Sequence, residues 1–348
     1  MRYLAWRVAF EVFGLTGLGS IVRPLSECKG VIFTLHRVLP SAPVAFAPNA
    51  TLQVTPGFLE AVIVAARAKG LDIVSLDEAV ARIRRPGVTR KFISLSFDGG
   101  YRDNLVHALP ILRKHEVPFT LYVPTGLVDG AGEVWWQALE DIIAGQDAVA
   151  ADLGEGIVYF ECAGLSGKQR AYDQLYAQMR QIDEPARVSL IRDLAGKYKL
   201  DLAAHCRSLI MDWSELKTFA AEKLCTLGAH TVYHYELAKL SDKDMRREMS
   251  QSIEVLKAQF GVMPRHLSYP IGSPIAAGKR EFAAARELGF ATAVTTRPGG
   301  LFSEHADHLH ALPRVSLNGL FQRRRYIDVF LTGALFTAIH GGKRVQAD

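Results

Sequence analysis

One aspartate and a pair of histidines are the residues of this sequence best suited to hydrolytic or metal chemistry. Asp98 follows a β-type apolar run and precedes two glycines, and His230 and His234 stand four residues apart after a second such run. With that spacing, two imidazoles can turn toward one point, as a divalent metal ion requires. An acid before Gly-Gly can instead cap a helix or form a turn, and either histidine can be a core or a surface residue.

Two later segments add candidate residues. A third apolar run ends at residues 269–272 in Tyr-Pro-Ile-Gly, and this Pro-x-Gly pattern predicts a turn at the end of a strand. Nearer the C-terminus, His308 and His310 offer two further imidazole side chains. A generic turn and two solvent-facing histidines are the alternatives for these segments.

Strand and helix patterns alternate along most of the chain and would position these residues. The alternation implies parallel strand pairing and an α/β architecture. Asp98, His230 and the turn at 269–272 each fall at the carboxyl end of a predicted strand, where catalytic side chains gather in a parallel barrel. The predicted strands cover 30–35, 72–75, 92–97, 119–123, 224–230, 266–269, 291–295 and 314–317, and the predicted helices cover 55–69, 76–83, 101–115, 242–260 and 281–288.

The alternation of strand and helix patterns is interrupted between residues 129 and 212. Trp135 and Trp136 open a helix, Gly-containing loops follow, and 169–200 is mostly helical. Because the strand–helix alternation resumes afterwards, we interpret 129–212 as a helical insertion across the top of a barrel. The predicted organisation is an N-terminal amphipathic helix at 1–28, a barrel at 29–326 that contains the insertion, and a C-terminal helix and tail at 327–348.

Composition limits the functional classes. Hydrophobic residues make up 49% and charged residues 22% of the 348-residue chain, which is typical of a globular protein with a sizeable core. The net charge of +5 suits an anionic surface or membrane but is too dilute to indicate nucleic acid binding. The four cysteines are scattered without metal-type spacing, so we expect reduced thiols and a cytoplasmic location.

The N-terminal segment is apolar but carries charges. Arg7 and Glu11 interrupt it, whereas a signal peptide or a spanning helix needs an apolar stretch with few or no charges. Leu4, Val8 and Val12 recur at helical spacing, which predicts an amphipathic helix. Such a helix either packs on its own domain or makes peripheral contact with a partner or the inner face of a membrane.

The order of the motifs resembles that of the NodB-type polysaccharide deacetylases, a carbohydrate esterase family 4-like group. This resemblance implies an α/β fold, a distorted (β/α) barrel of the NodB deacetylase type. It also implies a metal-dependent hydrolase that removes acetyl groups from the amino sugars of an oligo- or polysaccharide. The segments that carry the resemblance are SFDGGY at 96–101, LGAHTVYH at 227–234 and SYPIG at 268–272, with HRV at 36–38 and VPFT at 117–120 in support.

The resemblance implies a role for each residue of the main motifs. Asp98 corresponds to the catalytic base, and His230 and His234 correspond to ligands of a divalent metal ion, zinc in the first place. The backbone N–H of Ile271 corresponds to the donor that stabilises the oxyanion. Tyr269 lies in the same turn, which lines the active site in the family, and it is a candidate substrate contact.

The last motif and the insertion contribute further candidates. His310 is the candidate for the late histidine that members often use as a general acid, and His308 is the reserve. Trp135 and Trp136 offer aromatic faces on which sugar rings can stack, because such faces provide large apolar area at little entropy cost. The alternative is that both tryptophans belong to the core of the insertion.

The sequence departs from the family pattern at two positions. Gly99 stands where the family has a metal-binding aspartate, and Ser268 stands where some members have an arginine that orients the base. Three outcomes are open: Asp98 moves onto the metal, or a carboxylate from elsewhere, such as Asp103 or one in the insertion, completes the site, or the site holds metal weakly or not at all. Weak binding is expected of two histidines alone, because catalytic zinc sites generally keep three protein ligands. We expect Gly99→Asp to tighten metal binding and to raise activity.

Two alternatives to a metal-dependent deacetylase remain. A catalytically impaired member would act as a glycan-binding or regulatory protein, because Gly99 replaces the metal-ligand aspartate. A metal-independent hydrolase on the same fold would keep its activity after chelation. The expected partner is an acetylated glycan rather than nucleic acid, and the sequence leaves the oligomeric state open.

Overall fold

A sheet of parallel strands forms the centre of the molecule. The computed structural model describes residues 27–41, 43–87, 90–154, 156–332 and 341–347. In chain order the strands are Gly30–Leu35 (β1), Arg37–Val38 (β2), Gln53–Val54 (β3), Asp72–Ile73 (β4), Phe92–Asp98 (β5), Phe119–Val123 (β6), Ala148–Asp152 (β7), Ile157–Glu161 (β8), Cys225–Ala229 (β9), His266–Ser268 (β10), Thr292–Val294 (β11) and Val315–Ser316 (β12). The central sheet has the order β11-β10-β9-β6-β5-β1-β12, and β4 pairs with the start of β5.

The sheet closes through one C-terminal segment. Leu312 pairs in parallel with Val294 of β11, and three residues later Val315 of β12 pairs with Phe33 of β1. The N–H of Leu312 also donates to the carbonyl of Ala293. Because this segment contacts strands at both ends of the sheet, the sheet curls into the distorted (β/α) barrel that the sequence predicts.

Helices surround the barrel and begin at capping residues. Thr55, Ser75 and Ser241 each accept a hydrogen bond from a backbone N–H in the first turn of the following helix, which satisfies a donor that would otherwise be unpaired. The helices are Pro56–Ala68 (α1), Leu76–Arg84 (α2), Leu109–Lys114 (α3), Thr125–Val128 (α4), Trp135–Ala144 (α5), Gly164–Gln181 (α6), Glu184–Lys197 (α7), Leu202–Leu209 (α8), Trp213–Ala220 (α9), Asp242–Phe260 (α10), Lys279–Glu287 (α11) and Arg324–Thr332 (α12).

One helical turn departs from the predicted pattern. The apolar spacing predicts Val106, Leu109 and Leu112 on the inner face of a single helix, but Val106 is exposed while both leucines are buried. A π-helical turn at Asn104–Ala108 precedes α3. Such a turn contains an additional residue, so it changes the direction in which the neighbouring side chains point.

The insertion has a hydrophobic core of its own. Helices α5, α6 and α7 bury residues such as Leu139, Leu175 and Leu194 in a cluster separate from the barrel core. The insertion also contains an antiparallel hairpin, β7–β8, where the sequence predicts loops. Most of β8 is exposed, including Ile157 and Tyr159, so it lacks the apolar–polar alternation by which a strand is recognised.

Strands at the centre of the barrel are buried on both faces. All residues of β1, β5 and β6 are buried, as expected for parallel strands covered by helices. Within the described ranges, no helix is long and apolar enough to cross a membrane. Residues 1–26 of the predicted N-terminal helix and residues 333–340 of the predicted C-terminal segment lie outside the described residues.

Candidate active site

A buried ion pair lies at the carboxyl ends of the barrel strands. Asp98 is the last residue of β5. Its Oδ1 accepts a hydrogen bond from Arg314 Nη1 at 2.7 Å, and its Oδ2 accepts one from Arg314 Nη2 at 2.6 Å. Asp98 is 2% exposed and Arg314 is 1% exposed. Arg314 also donates to the carbonyl of Thr295 and to the hydroxyls of Ser96 and Ser268. These contacts fix the guanidinium, which in turn orients the carboxylate.

Arg314 supplies the orienting cation that Ser268 cannot supply. Ser268 Oγ donates to Asp98 Oδ2 at 3.0 Å and accepts from Arg314 Nη2 at 2.9 Å. The small serine side chain thus leaves room for a guanidinium that enters from the last strand. Sequence reasoning missed this role, and the available signal was a charged residue directly before Val315, a buried residue of the last strand.

The ion pair keeps Asp98 ionised. Burial favours the protonated carboxyl, but the charge and the hydrogen bonds of Arg314 outweigh burial and hold the pKa of Asp98 well below its usual range. A carboxylate that is charged at neutral pH can accept a proton, although a low pKa makes it a weak base. The ability of Asp98 to take up a proton in a reaction therefore depends more on its placement than on its basicity.

The two histidines belong to a strained loop after β9. Thr231 and His234 have left-handed backbone conformations, with φ of 62° and 59°, which non-glycine residues seldom adopt. The buried carboxylate of Glu248, on α10, accepts hydrogen bonds from the N–H groups of Val232 and Tyr233 at 3.0 and 2.9 Å. Backbone strain of this kind persists only where surrounding contacts impose it, and it clusters at functional sites.

The rings of His230 and His234 lie close together, with centroids 4.8 Å apart. His230 Nδ1 donates to the carbonyl of Ser268 at 2.7 Å, which leaves Nε2 as the nitrogen with a lone pair. His234 Nδ1 is buried without a hydrogen-bond partner among the described residues. Burial lowers the pKa of both imidazoles, and that of His234 lies well below its ordinary value, so both are neutral at neutral pH.

The turn after β10 provides a backbone donor. Ile271 has a left-handed conformation, with φ of 63°, and its carbonyl accepts a hydrogen bond from Thr296 Oγ1 at 2.6 Å. Within the described ranges, the N–H of Ile271 has no hydrogen-bond acceptor. A fixed N–H without an internal partner is the kind of group that stabilises an oxyanion.

These groups open into one cavity of about 570 Å³. Ligand sites for small molecules have volumes of about 300–1,000 Å³. The strand ends form the floor, and the insertion and the 3₁₀ helix Pro48–Leu52 form two of the walls. Of the site residues predicted from sequence, the cavity brings together Asp98, Trp135, Trp136, His230, His234 and Ile271.

His36 is a further residue of this cavity that sequence reasoning did not assign. It follows β1 and lines the cavity together with Asp98. Burial lowers the pKa of His36 to about 4, against the opposing charge of Asp98. A third neutral imidazole therefore faces the cavity. The available signal was its place directly after a predicted strand, at the end where the other site residues gather.

His310 and Tyr269 lie outside the cavity. His310 Nε2 donates to the carbonyl of Phe290 at 2.8 Å, and His310 and His308 border a separate pocket of about 170 Å³. Tyr269 is fully buried, and its hydroxyl donates to the carbonyl of His310. The structure therefore corrects the assignment of His310 as general acid and of Tyr269 as a substrate contact, because neither residue lines the cavity that contains Asp98.

Trp135 and Trp136 have different environments. Trp135 is 3% exposed and stacks on Tyr176 in the insertion core, with ring centroids 5.0 Å apart. Trp136 lies against His234 at 4.8 Å, and its Nε1 donates to the hydroxyl of Tyr101 at 3.1 Å. Both tryptophans line the cavity, so packing in the core and contact with a ligand do not exclude each other here.

The described residues do not complete a metal site. In the described ranges, no three His, Cys, Asp or Glu side chains are placed to hold one ion. Both oxygens of Asp98 are bound by Arg314, and Asp103 is paired with Arg37 at 2.8 Å. The structure thus corrects the expectation that either aspartate takes over the missing ligand. The neutral histidine pair is the remaining donor set, and it lacks an anionic member.

The backbone at Gly99 is unsuited to the aspartate of the family pattern. Its φ is +101°, a region that L side chains rarely adopt. A Cβ atom at this position would lie 2.8 Å from Cε2 of Tyr101. The expectation that Gly99→Asp restores a metal ligand is therefore corrected, since the conformation and the Tyr101 ring both oppose a side chain.

We expect Gly99→Asp to destabilise the protein rather than to activate it. A non-glycine residue in such a conformation costs about 1–3 kcal/mol, and Tyr101 would also have to move. Urea unfolding followed by circular dichroism would measure the loss. Gly57→Asp is the matched control, because Gly57 has open space around it and stands in the first turn of α1, where an acid is favourable. Wild-type stability of Gly99→Asp with tighter zinc binding would contradict this prediction.

The fold and the cavity define a class of protein: a parallel (β/α) barrel whose strand ends carry a buried carboxylate and a histidine pair. The family model described as polysaccharide deacetylase matches residues 85–149 and 164–293, which is more than half of the chain. The chain therefore belongs to the polysaccharide deacetylase family. No curated protein matches the sequence significantly.

Solved structures with the same fold include PplD and IcaB. The deacetylase PplD from Streptococcus pyogenes, in complex with acetate, aligns with 17% identity and a TM-score of 0.57, over 86% of this chain and 97% of that chain. IcaB from Ammonifex degensii aligns with 17% identity and a TM-score of 0.54, over 87% of this chain and 97% of that chain. At this level of identity the likeness concerns the fold.

Proposed function

We propose that this protein is a hydrolase that removes acetyl groups from the amino sugars of an oligo- or polysaccharide. The observation that carries the proposal is that Asp98, oriented by Arg314, and Ile271 line the same cavity. A general base and an oxyanion donor are two contributions that the protein makes to amide hydrolysis. Membership of the polysaccharide deacetylase family supports this reaction class.

The proposed reaction uses this chain's own groups. Asp98 takes a proton from water as the water oxygen adds to the acetyl carbonyl carbon. The N–H of Ile271 donates to the carbonyl oxygen as it becomes negative. The C–N bond then breaks, the proton on Asp98 passes to the amine nitrogen, and acetate leaves. The neutral imidazoles of His230 and His234 can accept hydrogen bonds from the attacking water, and Arg314 holds Asp98 in place throughout.

A divalent ion is part of the chemistry of this family in general. When bound, such an ion polarises the carbonyl and lowers the pKa of water. In this chain we propose that zinc or a similar ion binds at His230 and His234 only weakly, because two neutral ligands do not match the three protein ligands of catalytic zinc sites. The steps above are therefore assigned to the protein alone.

We expect calorimetric titration with zinc to show weak binding that is lost in His234→Ala. His308→Ala is the matched control, because this histidine borders the separate pocket and its removal should leave zinc binding unchanged. Tight binding by the wild-type protein, unaffected by His234→Ala, would contradict the assignment. His36 would then be the first residue to test as a ligand, since it lines the same cavity.

Acetate release from acetylated chito-oligosaccharides tests the proposed function directly. The wild-type protein should release acetate, and assays with and without a chelator would show how far a metal contributes. Absence of acetate from several acetylated glycans, with the protein folded and zinc supplied, would contradict the proposal.

A glycan-binding role without catalysis is the second candidate. The observation in its favour is Gly99, which has no side chain to act as an anionic ligand. Its positive φ and the nearby Tyr101 ring also oppose a side chain at this position. Binding of the same oligosaccharides without acetate release would support this role. Acetate release from these oligosaccharides would exclude a role limited to binding.

A further inference from the structure

A continuous row of aromatic rings extends from the histidine pair along the insertion wall of the cavity. Ring centroids are separated by 4.8 Å between His234 and Trp136, and by 5.9 Å between Trp136 and Trp135. The row continues through Tyr176 at 5.0 Å to Tyr172 at 5.6 Å. All five rings line the cavity. Aromatic faces bind apolar faces of flat or ring-shaped ligands, so this wall suits sugar rings.

A second wall of the cavity, formed by the 3₁₀ helix Pro48–Leu52, is hydrogen-bonded to this aromatic row through Asn49. Asn49 lies in the 3₁₀ helix Pro48–Leu52 and lines the cavity. Its Nδ2 donates to the carbonyl of Trp136 at 2.8 Å, and its Oδ1 accepts from the hydroxyl of Tyr172 at 2.9 Å. Its backbone N–H donates to Glu140 Oε2 at 2.7 Å. The two walls are thus joined at Asn49, and this join opposes the passage of a sugar chain between them at that point.

The loop that carries Asn49 is itself packed closely from behind. Gly319 contacts the backbone of this loop so tightly that a Cβ atom there would lie 2.0 Å from the carbonyl oxygen of Ala50. Leu320, the next residue, lines the cavity. The segment that contains Gly319 and Leu320 therefore supports the wall formed by the 3₁₀ helix Pro48–Leu52. This support opposes displacement of that wall by a ligand.

From this closure we propose that the cavity accepts the end of an acetylated amino-sugar chain, rather than an internal sugar of a long polymer. The inference rests on the proposed function for its substrate class. A volume of about 570 Å³ is that of a site for a small ligand, and a polymer bound through an internal sugar needs two exits. The join at Asn49 removes one of them.

End-tagged oligosaccharides test this proposal through binding, independently of catalysis. The probes are acetylated chitopentaose without a tag, with a bulky tag at the reducing end, and with the same tag at the other end. Wild-type protein and Asp98→Asn should bind the untagged sugar and one tagged form, and should bind the other tagged form about tenfold or more weakly. Equal binding of both tagged forms would overturn the proposal.

Asn49→Ala tests the cause of the closure. This substitution removes the side-chain hydrogen bonds to Trp136 and Tyr172, and it should admit the tagged form that the wild-type protein excludes. Gln53→Ala is the matched control, because Gln53 donates to the carbonyl of Ser41 nearby but does not line the cavity. Unchanged selectivity in a folded Asn49→Ala protein would overturn the role of this join, while the wild-type measurement tests chain-end binding by itself.

The position of deacetylation separates this inference from the proposed function. If acetate is released, mass spectrometry should locate the free amine on a terminal residue, and equal removal from internal residues would overturn the inference. If no acetate is released but one tagged form is excluded, the hydrolase proposal fails and chain-end binding stands. If no form of the pentasaccharide binds, the chain-end proposal fails, and acetate release from other acetylated glycans still decides the hydrolase proposal.

Discussion

Replacement of Asp98 with asparagine is expected to lower acetate release by about 10² to 10⁴-fold, because the amide cannot take a proton from the attacking water. Steady-state rates on acetylated chito-oligosaccharides would measure the loss. Asp103→Asn is the matched control. Asp103 is another buried aspartate paired with an arginine, but it does not line the cavity, so its replacement should change the rate little.

The structure adds a stability cost to this substitution. Besides removing the base, Asp98→Asn leaves the buried Arg314 without its counter-charge. Assays should therefore be run where circular dichroism shows both proteins to be folded. If folded Asp98→Asn keeps a rate within about tenfold of the wild type, Asp98 is not the base.

Replacement of Arg314 with methionine is expected to lower the free energy of unfolding by about 3–5 kcal/mol at neutral pH, because it leaves a buried carboxylate unpaired. Acetate release should fall as well, mainly through kcat, since the base loses its orientation. Arg37→Met is the comparison variant, because Arg37 is paired with Asp103 nearer the surface and should cost less.

The pH dependence of this effect has a definite sign. In the wild-type protein Arg314 depresses the pKa of Asp98, so the pair stabilises the fold above the unfolded pKa and this contribution is lost as the pH falls through the folded pKa. In Arg314→Met burial acts without the cation and raises the pKa of Asp98, so the variant favours the protonated acid. The stability difference should therefore be largest at neutral pH and should shrink toward about pH 4.

Urea unfolding at several pH values would measure this dependence. A stability difference that stays constant over the range would mean that Arg314 acts through packing rather than through charge. Unchanged kcat in a folded Arg314→Met protein would contradict its role in positioning Asp98.

Local sequence patterns were sufficient to predict the barrel and most of the residues at the floor of the cavity. Asp98, His230 and Ile271 each follow a short apolar run, and the carboxyl ends of parallel strands meet on one face of a barrel. Their convergence on one cavity was therefore predictable from the order of strands alone. The hairpin β7–β8 and the π-helical turn before α3 were not predicted, because neither follows the standard periodicity of a strand or a helix.

For two partners of the site, Arg314 and His36, the local sequence signal does not show which residues they meet. Arg314 reaches Asp98 across 216 residues of sequence, and it does so because β12 pairs with β1, the strand next to β5. His36 also reaches the cavity through strand order, since its own strand, β1, lies beside β5. Contacts between residues distant in sequence depend on which strands become neighbours and on how far the barrel closes.

The sequence by itself determined the fold class, the catalytic aspartate candidate, the histidine pair and the family resemblance, because each depends on residue type and short-range order. Only the tertiary structure decided that Arg314 orients Asp98, that Tyr101 and a left-handed backbone oppose a side chain at Gly99, and that Asn49 joins the cavity walls. These features arise from backbone conformation and from the packing of distant segments. Neither is encoded in the identity of a single residue or its near neighbours.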